Sequence, residues 1–560
     1  MRFVAAPLLL AAGTAVAGGS AIARAGAAPA PIFVDASDRL GLVFTHDAGV
    51  EGRYFMPESL GSGGALLDYD NDGDLDVYLV NGAYRDPRRR AAQPLKNRLF
   101  RQGVDGRFTD VTAGSGLGDE GYGMGVAVGD YDNDGDVDVY VCNTGPDTLY
   151  RNNGDGTFVD VSRAAGVDNP HWASSALFFD YDNDGDLDIN VVNYVAWKAS
   201  VVCTDPAGRA DYCGPQRYPG VADVLYRNDG NGRFTDVSAT AGLARAPSKG
   251  LGHVAADFDG NGLADLFVAN DRVANQLWLN QGDGSFRENA LLLGAALDAL
   301  GHAGASMGIA LGDADGDAAL DLYVTQLFNE NNNLLRGLGA RGFAEETAAA
   351  GLTGSDLPLT GFGTGFFDYD NDGDLDLAVV NGRVIRGPLL TAARPADYWD
   401  EYAEPNLLFA NDGQGTFRDV SARAGDFASL VENSRGLAFG DVDNDGDLDL
   451  LVTNEGGRAR LLLNQGAAGR HWLLVHVVDP RLRRHAIGAR VSVQVAGREL
   501  HRFVSAAYSY QSSSDLRVHF GLGAAMAVDR IRVRWPDGRL ETFPGRPADQ
   551  IITLEKGKGR

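Results

Sequence analysis

Basic residues are scarce in this chain: 49 Lys and Arg stand against 76 Asp and Glu, a net charge of −27 over 560 residues. So acidic a bulk repels a polyanion and releases no counterions on contact, which argues against wholesale nucleic-acid binding. Catalytic signatures are missing as well: there is no Gly-x-Ser-x-Gly elbow, no phosphate-binding loop and no His-Glu-x-x-His pair. Beyond the N-terminal residues no segment is apolar enough to span a bilayer. Cysteine is limited to Cys142, Cys203 and Cys213, and none follows the first apolar run at a lipid-attachment position.

What the chain does have at its start is Met1-Arg2, an apolar run through Leu8, Leu9 and Leu10 to Val16, and small residues offering Ala15-Val-Ala17 and Ala23-Arg-Ala25 for cleavage. Residues 1–25 read as a secretory signal peptide, because the run is glycine-broken and short of a membrane helix. The mature protein is then expected to be exported, whether periplasmic, extracellular or at the cell surface. In such an oxidising compartment Cys203 and Cys213, ten residues apart in a Pro- and Gly-containing insertion, are expected to pair. Cys142 lies in an apolar strand and reads as a buried free thiol.

The stretch Asp68-Tyr-Asp-Asn-Asp-Gly-Asp-Leu-Asp76 opens a pattern that returns at Asp130, Asp180, Asp257, Asp313, Asp368 and Asp441. The spacing is that of a whole supersecondary unit. Each unit alternates an apolar, glycine-rich approach, the acidic loop, and a strand such as Leu75-Asp-Val-Tyr-Leu-Val80. A hairpin follows, as in Asn97-Arg-Leu-Phe100 to Arg107-Phe-Thr-Asp-Val-Thr112. Four strands in each of seven units predict an all-β fold, a seven-bladed β-propeller over 31–466, with a small C-terminal β domain over 469–556. Phe33-Val-Asp-Ala-Ser37 copies the outermost strand before any acidic loop has appeared, and the seventh unit lacks that strand. The N-terminal strand is therefore expected to close the ring and remove an open sheet edge.

In Asp-x-Asp-x-Asp-Gly-x-x-Asp, positions 1, 3, 5 and 9 offer hard oxygens, position 7 a carbonyl, and the glycine a sharp turn. This donor set points to Ca2+, and the absence of imidazole or thiolate from the loops points away from zinc or copper. The expected ligand loops are Asp68, Asp70, Asp72, Asp74 and Asp76; Asp130, Asp132, Asp134, Asp136 and Asp138; Asp180, Asp182, Asp184, Asp186 and Asp188; Asp368, Asp370, Asp372, Asp374 and Asp376; and Asp441, Asp443, Asp445, Asp447 and Asp449. Two copies depart: the fourth holds Asp257, Asp259, Asn261 and Asp265, one charge fewer, and the fifth holds Asp313, Asp315, Asp317 and Asp321 with Ala318 at the glycine position. An EF-hand is excluded because its twelfth position needs a bidentate Glu, and here it is Leu79, Val141, Val191, Val268, Val324, Val379 or Val452. At a free concentration 100 times the dissociation constant, each filled loop would stabilise the fold by about 2.7 kcal/mol.

The acidic loops and Phe-x-Asp-Val strands resemble the FG-GAP (VCBS) repeats of integrin α-type propellers. His471-Trp-Leu-Leu-Val, Ala486-Ile-Gly-Ala-Arg-Val491, His519-Phe-Gly-Leu-Gly523 and Val533-Arg-Trp-Pro-Asp-Gly538 resemble the ASPIC/UnbV domain that follows such propellers in the cartilage acidic protein family. The Cys203 to Cys213 insertion is also similar to that family. The resemblance implies a secreted, calcium-binding propeller of matrix or cell-surface type, and it brings no catalytic residues.

Two surfaces invite a partner. The C-terminal region 471–560 is basic, with 15 Lys and Arg against 8 Asp and Glu. Its Arg530, Arg532 and Arg534 share one strand face, either solvated or docked on the acidic propeller, or else reading an anionic glycan or matrix partner. The residues just before each acidic unit, Glu58, Tyr122, His171, Trp172, Lys249, His302, Glu432 and Arg435, are expected to ring the channel mouth, as a ligand funnel or as a wet rim. The expected protein is a monomeric interaction module for a glycan, matrix or surface protein. The alternative is an enzyme acting on a polysaccharide or secondary metabolite at that mouth.

Overall fold

The computed structural model describes residues 30–205, 207–390, 398–467 and 469–560. Residues 1–25, read above as a signal peptide, lie outside them. Seven four-stranded antiparallel sheets follow one another along the chain. The first contains Gly64–Leu67, Asp76–Leu79, Arg98–Gln102 and Phe108–Asp110, in that order from the centre outward. The innermost strands of successive blades touch in sequence, and Gly64–Leu67 of blade one meets Ser434–Gly440 of blade seven. The ring is closed.

Closure uses both ends of the propeller chain. Phe33–Asp35 pairs antiparallel with Arg460–Asn464, Phe33 opposite Asn464 and Asp35 opposite Leu462, and so forms the outermost strand of blade seven. Glycines in the inner strands have a steric cause. A Cβ on Gly252 would stand 2.3 Å from the carbonyl oxygen of Met307, and one on Gly308 2.1 Å from that of Phe362. Only glycine lets neighbouring blades approach so closely around a narrow centre.

The C-terminal domain consists of two further four-stranded sheets. In one, His471–Asp479 lies between Val518–Gly523 and a parallel partner, Gln550–Glu555. In the other, Arg490–Val495 lies between Arg498–Phe503 and Arg530–Arg534, with Leu540–Pro544 outermost. Alternation buries Val491, Val493, Ile531 and Val533 against Trp535 and Phe520.

The segment joining Arg498–Phe503 to Val518–Gly523 enters the propeller channel. Ser509 exchanges backbone hydrogen bonds with Ile309, Val126 N–H donates to Gln511 O, Ser513 bonds Gly64 and Leu66, and Asp515 N–H donates to Phe439 O. These partners come from the innermost strands of blades five, two, one and seven, whose channel edges have no further strand to satisfy them. Buried backbone groups need partners, and this finger supplies them. Tyr510 is fully buried at its tip, its hydroxyl donating to Leu60 O and its ring 4.9 Å from Phe362.

Docking onto the propeller is made by arginines other than the three singled out from sequence. Arg470 pairs with Asp370, Arg498 with Asp374, Arg484 donates to Asn133 Oδ1 and Gly185 O, and Arg517 to Asn444 Oδ1 and Asp441 O. Arg530 instead bonds Gln494 and Arg532 bonds Glu499, both within their own sheet, while Arg534 is exposed. The domain therefore sits on the acidic-loop side of the ring.

Candidate metal centres and the channel mouth

Each acidic loop is shaped by its own side chains. In loop one, Asn71 takes φ 58° and Gly73 φ 90°, left-handed values that asparagine and glycine accept best. The first carboxylate, Asp68, accepts from the N–H groups of Asp72 and Gly73. The ninth, Asp76, accepts from Tyr69 N–H and from Gln102 N–H at the end of the third strand. Asp138, Asp188, Asp265, Asp321, Asp376 and Asp449 repeat this double clamp in the other blades.

The result brings carboxylates together. In loops one to five, oxygens of positions 1, 3 and 9 lie within 4.8 Å of one another. The fifth position is used differently: Asp72 Oδ1, like Asp134 and Asp184, accepts the N–H of position 7. Oδ1 atoms of Asp70, Asp132 and Asp180 are buried without a hydrogen-bond partner. Burial, with neighbouring aspartates adding to it, pushes Asp68 up to about 6 and Asp130 to about 7. It raises Asp76 to about 8 and drives Asp138, Asp376 and Asp449 well above the carboxylate range. Among the described residues these carboxylates of positions 1 and 9 have no ion-pair partner, while at positions 3 and 5 Arg101 pairs with Asp70 and Asp72 in loop one and Arg470 with Asp370 and Asp372 in loop six; the oxygen-only set fits a hard divalent cation.

Sequence reasoning missed a belt that joins the loops. Position 4 of one loop donates to the side chain at position 7 of the next: Asn71 to Asp136, Asn133 to Asp186, Asn371 to Asp447 at 2.8 Å each, and Asn444 to Asp74 at 3.3 Å. The belt thus runs from loop six through seven, one and two to three. It has no counterpart where loops four and five carry Gly260 and Gly316 at position 4 and Leu263 and Ala319 at position 7. The recurrence of Asn in five loops was the available signal.

Loop five departs further than its sequence indicates. Ala318 is indeed left-handed, φ 74°, a cost of about 1–2 kcal/mol for an L-residue with a Cβ. In addition, Arg336 lies buried with its guanidinium 2.9 Å from Asp321 and 3.8 Å from Asp315. A resident cation already stands where an ion would bind. Gly337 replaces the third-strand Asn whose side chain, in Asn152, Asn228, Asn280, Asn411 and Asn464, reaches a carbonyl of the preceding blade.

The expected funnel at the other mouth is not an open ring. Glu58 is 1% exposed and accepts from Tyr212 Oη at 3.0 Å, and burial lifts its carboxyl to about 8. Tyr122 is buried and donates to Ala48 O, and Trp172 is buried against Tyr194. Arg435 is fully buried, donating to Ser59 O, Ser434 O, Asn433 and Arg383 O beneath the Phe362 ring. Lys249 donates to Pro215 O, and Glu432 pairs with Arg460. His171 and His302 are exposed. The cause is a roof of two insertions. The first is tied by the disulfide Cys203–Cys213 and lays Tyr212 on Glu58; the second brings Tyr398 to Tyr212 and Tyr402 to Asp211. Cys142 is a buried free thiol, as expected.

Comparison with known proteins agrees with this architecture. A model of the FG-GAP-like repeat matches residues 68–141, 130–191, 208–268, 257–324 and 396–452, and a model named ASPIC and UnbV matches 479–560. Cartilage acidic protein 1 of Xenopus tropicalis is 28% identical over 317 residues, 55% of this chain and 45% of that protein. The Mus musculus protein is 28% identical over 328 residues, covering 54% and 44%. The chain thus spans a little under half the length of these relatives. Among solved structures, an Agrocybe aegerita lectin described as recognising non-reducing terminal N-acetylglucosamine aligns with TM-score 0.40 and 15% identity over 66% of this chain and 82% of its own. A rhamnogalacturonan lyase of Bacillus licheniformis aligns with TM-score 0.35 and 12% identity over 71% and 70%. With repeat matches over more than half of its residues and the second model at its end, the chain belongs to the FG-GAP-repeat propellers that carry a C-terminal ASPIC and UnbV domain, the architecture of cartilage acidic protein 1.

Proposed function

We propose that this protein is an exported, calcium-stabilised interaction module in which the propeller of 31–466 and the β domain of 469–556 act as one unit. The observation that carries it is the convergence of positions 1, 3 and 9 in repeated loops, with buried oxygens left unpartnered. Loops one, two, three, six and seven would hold Ca2+ through these carboxylates; loop four would bind more weakly and loop five is blocked by Arg336. The ion's role is to offset carboxylate repulsion and hold the ring. Partner binding belongs to other surfaces, foremost the sheet face of Arg530, Arg532 and Arg534, which suits an anionic glycan or matrix protein. Calcium titration by calorimetry should give five tight equivalents, and a glycan and surface-protein array should give hits that depend on calcium. No calcium uptake would remove the metal reading, and array hits indifferent to chelator would separate partner binding from it.

A further inference from the structure

Where the C-terminal domain lies on loop one, a cavity of about 270 Å3 remains, walled by Asp68 and Leu75 of blade one, Val137 of blade two, and His476, His485, Asp515 and Arg517 of the domain. The two imidazoles come from paired strands. His476 is in His471–Asp479, and His485 lies opposite Val478 in the short antiparallel partner Arg484–His485. Their ring centroids are 4.3 Å apart with planes 38° from parallel. Nε2 of His476 and Nδ1 of His485 are buried and have no hydrogen-bond partner. An unpartnered buried polar atom costs about 1–3 kcal/mol, and here two neighbouring rings at one cavity each carry one.

The surroundings suit a cation better than the two nearby arginines first suggest. Arg517 is held by Asp515, Asn444 Oδ1 and Asp441 O, and Arg484 by Asn133 Oδ1 and Gly185 O, so both are engaged by the propeller. Asp515 opposes the effect of Arg517 on His476, while Arg517 and Arg484 both act with burial on His485. Burial lowers His476 and takes His485 well below the usual imidazole range, which leaves both rings neutral, the form that ligates a metal. The cavity exceeds the roughly 30 Å3 a water occupies several-fold, so solvent can complete a coordination shell. None of this resembles the acidic loops, whose oxygen-only sets select hard ions; imidazole nitrogen selects zinc, copper or nickel.

We propose that His476 and His485 form a binding site for one transition cation of the Zn2+ class, seated between the first acidic loop and the C-terminal domain. The site does not depend on calcium in the loops. The test uses the full chain, freed of metal and then held in excess Ca2+ to fill carboxylate sites, and titrated with Zn2+ by calorimetry and with Co2+ by visible absorption. The expected result is one Zn2+ equivalent that excess Ca2+ does not displace and a Co2+ spectrum with nitrogen-ligand bands. His476→Gln together with His485→Gln should weaken Zn2+ at least about tenfold, with calcium uptake by the acidic loops unchanged. Zn2+ binding that is absent from the calcium-filled protein, or unaltered in the double variant, overturns the proposal. Should the variant fail to fold, the Co2+ spectrum of the unsubstituted chain decides, and oxygen-only ligation there overturns it equally.

Discussion

Asp138→Asn in loop two separates the ion's contribution from that of the carboxylate's own hydrogen bonds. Asp138 is fully buried, and its two oxygens accept Tyr131 N–H at 3.0 Å and Asn152 N–H at 2.8 Å while converging with Asp130 and Asp132. An asparagine keeps one acceptor and turns the other into a donor, so one backbone N–H loses its partner at about 1–3 kcal/mol. It also weakens the ion, worth about 2.7 kcal/mol at 100 times the dissociation constant. In calcium the summed loss is about 4–6 kcal/mol; in chelator only the hydrogen-bond part, about 1–3 kcal/mol, remains. The contrast is Asp321→Asn in loop five, where Arg336 stands in for the ion. Stranding that buried guanidinium should cost about 3–5 kcal/mol with or without calcium. Denaturant unfolding of both variants in calcium and in chelator gives the four numbers. An Asp138→Asn loss that is the same in both media would refute the reasoning, because the carboxylate would then have no ionic partner to lose.

Tyr510→Ala should destabilise the chain by about 3–5 kcal/mol in denaturant unfolding, since it empties the finger's tip against Phe362 and strands Leu60 O; a loss under about 1 kcal/mol would place the finger outside the cooperative core. Glu58, raised to about 8 by burial, is neutral in the folded protein and ionised in the unfolded chain between its ordinary value and that point. The folded state holds the extra proton in that window, so Glu58 contributes stability below the ordinary carboxylate range that is lost as pH rises toward about 8. Glu58→Gln should flatten that decline, read as the difference in melting temperature between the variant and the parent at pH 5 and at pH 8.5; parallel curves would contradict it.

Much of the acidic loops' geometry was legible because it is local. Nine consecutive residues hold the ligand spacing, the left-handed Asn and Gly, and the Ala318 exception, so the loop's shape follows from its own letters. Ring closure was legible for a related reason: the copy at Phe33–Asp35 and the missing strand after Arg460–Asn464 are complementary gaps in one periodic pattern. The belt was also written in the loops, as a repeated Asn at position 4, but its meaning needs the next blade, because donor and acceptor are 53 to 76 residues apart among the three shortest links.

The sequence by itself determined the repeat, the blade count, the oxygen-rich loops, the disulfide pair and the sign of charge on each part. Only the tertiary structure decided which surfaces are open. The finger of residues around Tyr510 fills the channel, insertions whose contacting residues are 186 and 191 positions apart roof the mouth over Glu58 and Arg435, and Arg470, Arg484, Arg498 and Arg517 rather than Arg530, Arg532 and Arg534 hold the domain on the ring. It alone brought Arg336 into loop five and His476 beside His485. The physical reason is that periodicity reports what each residue does within its own blade, whereas burial and pairing at the channel are set by side chains that meet only once the ring has closed and the second domain has docked.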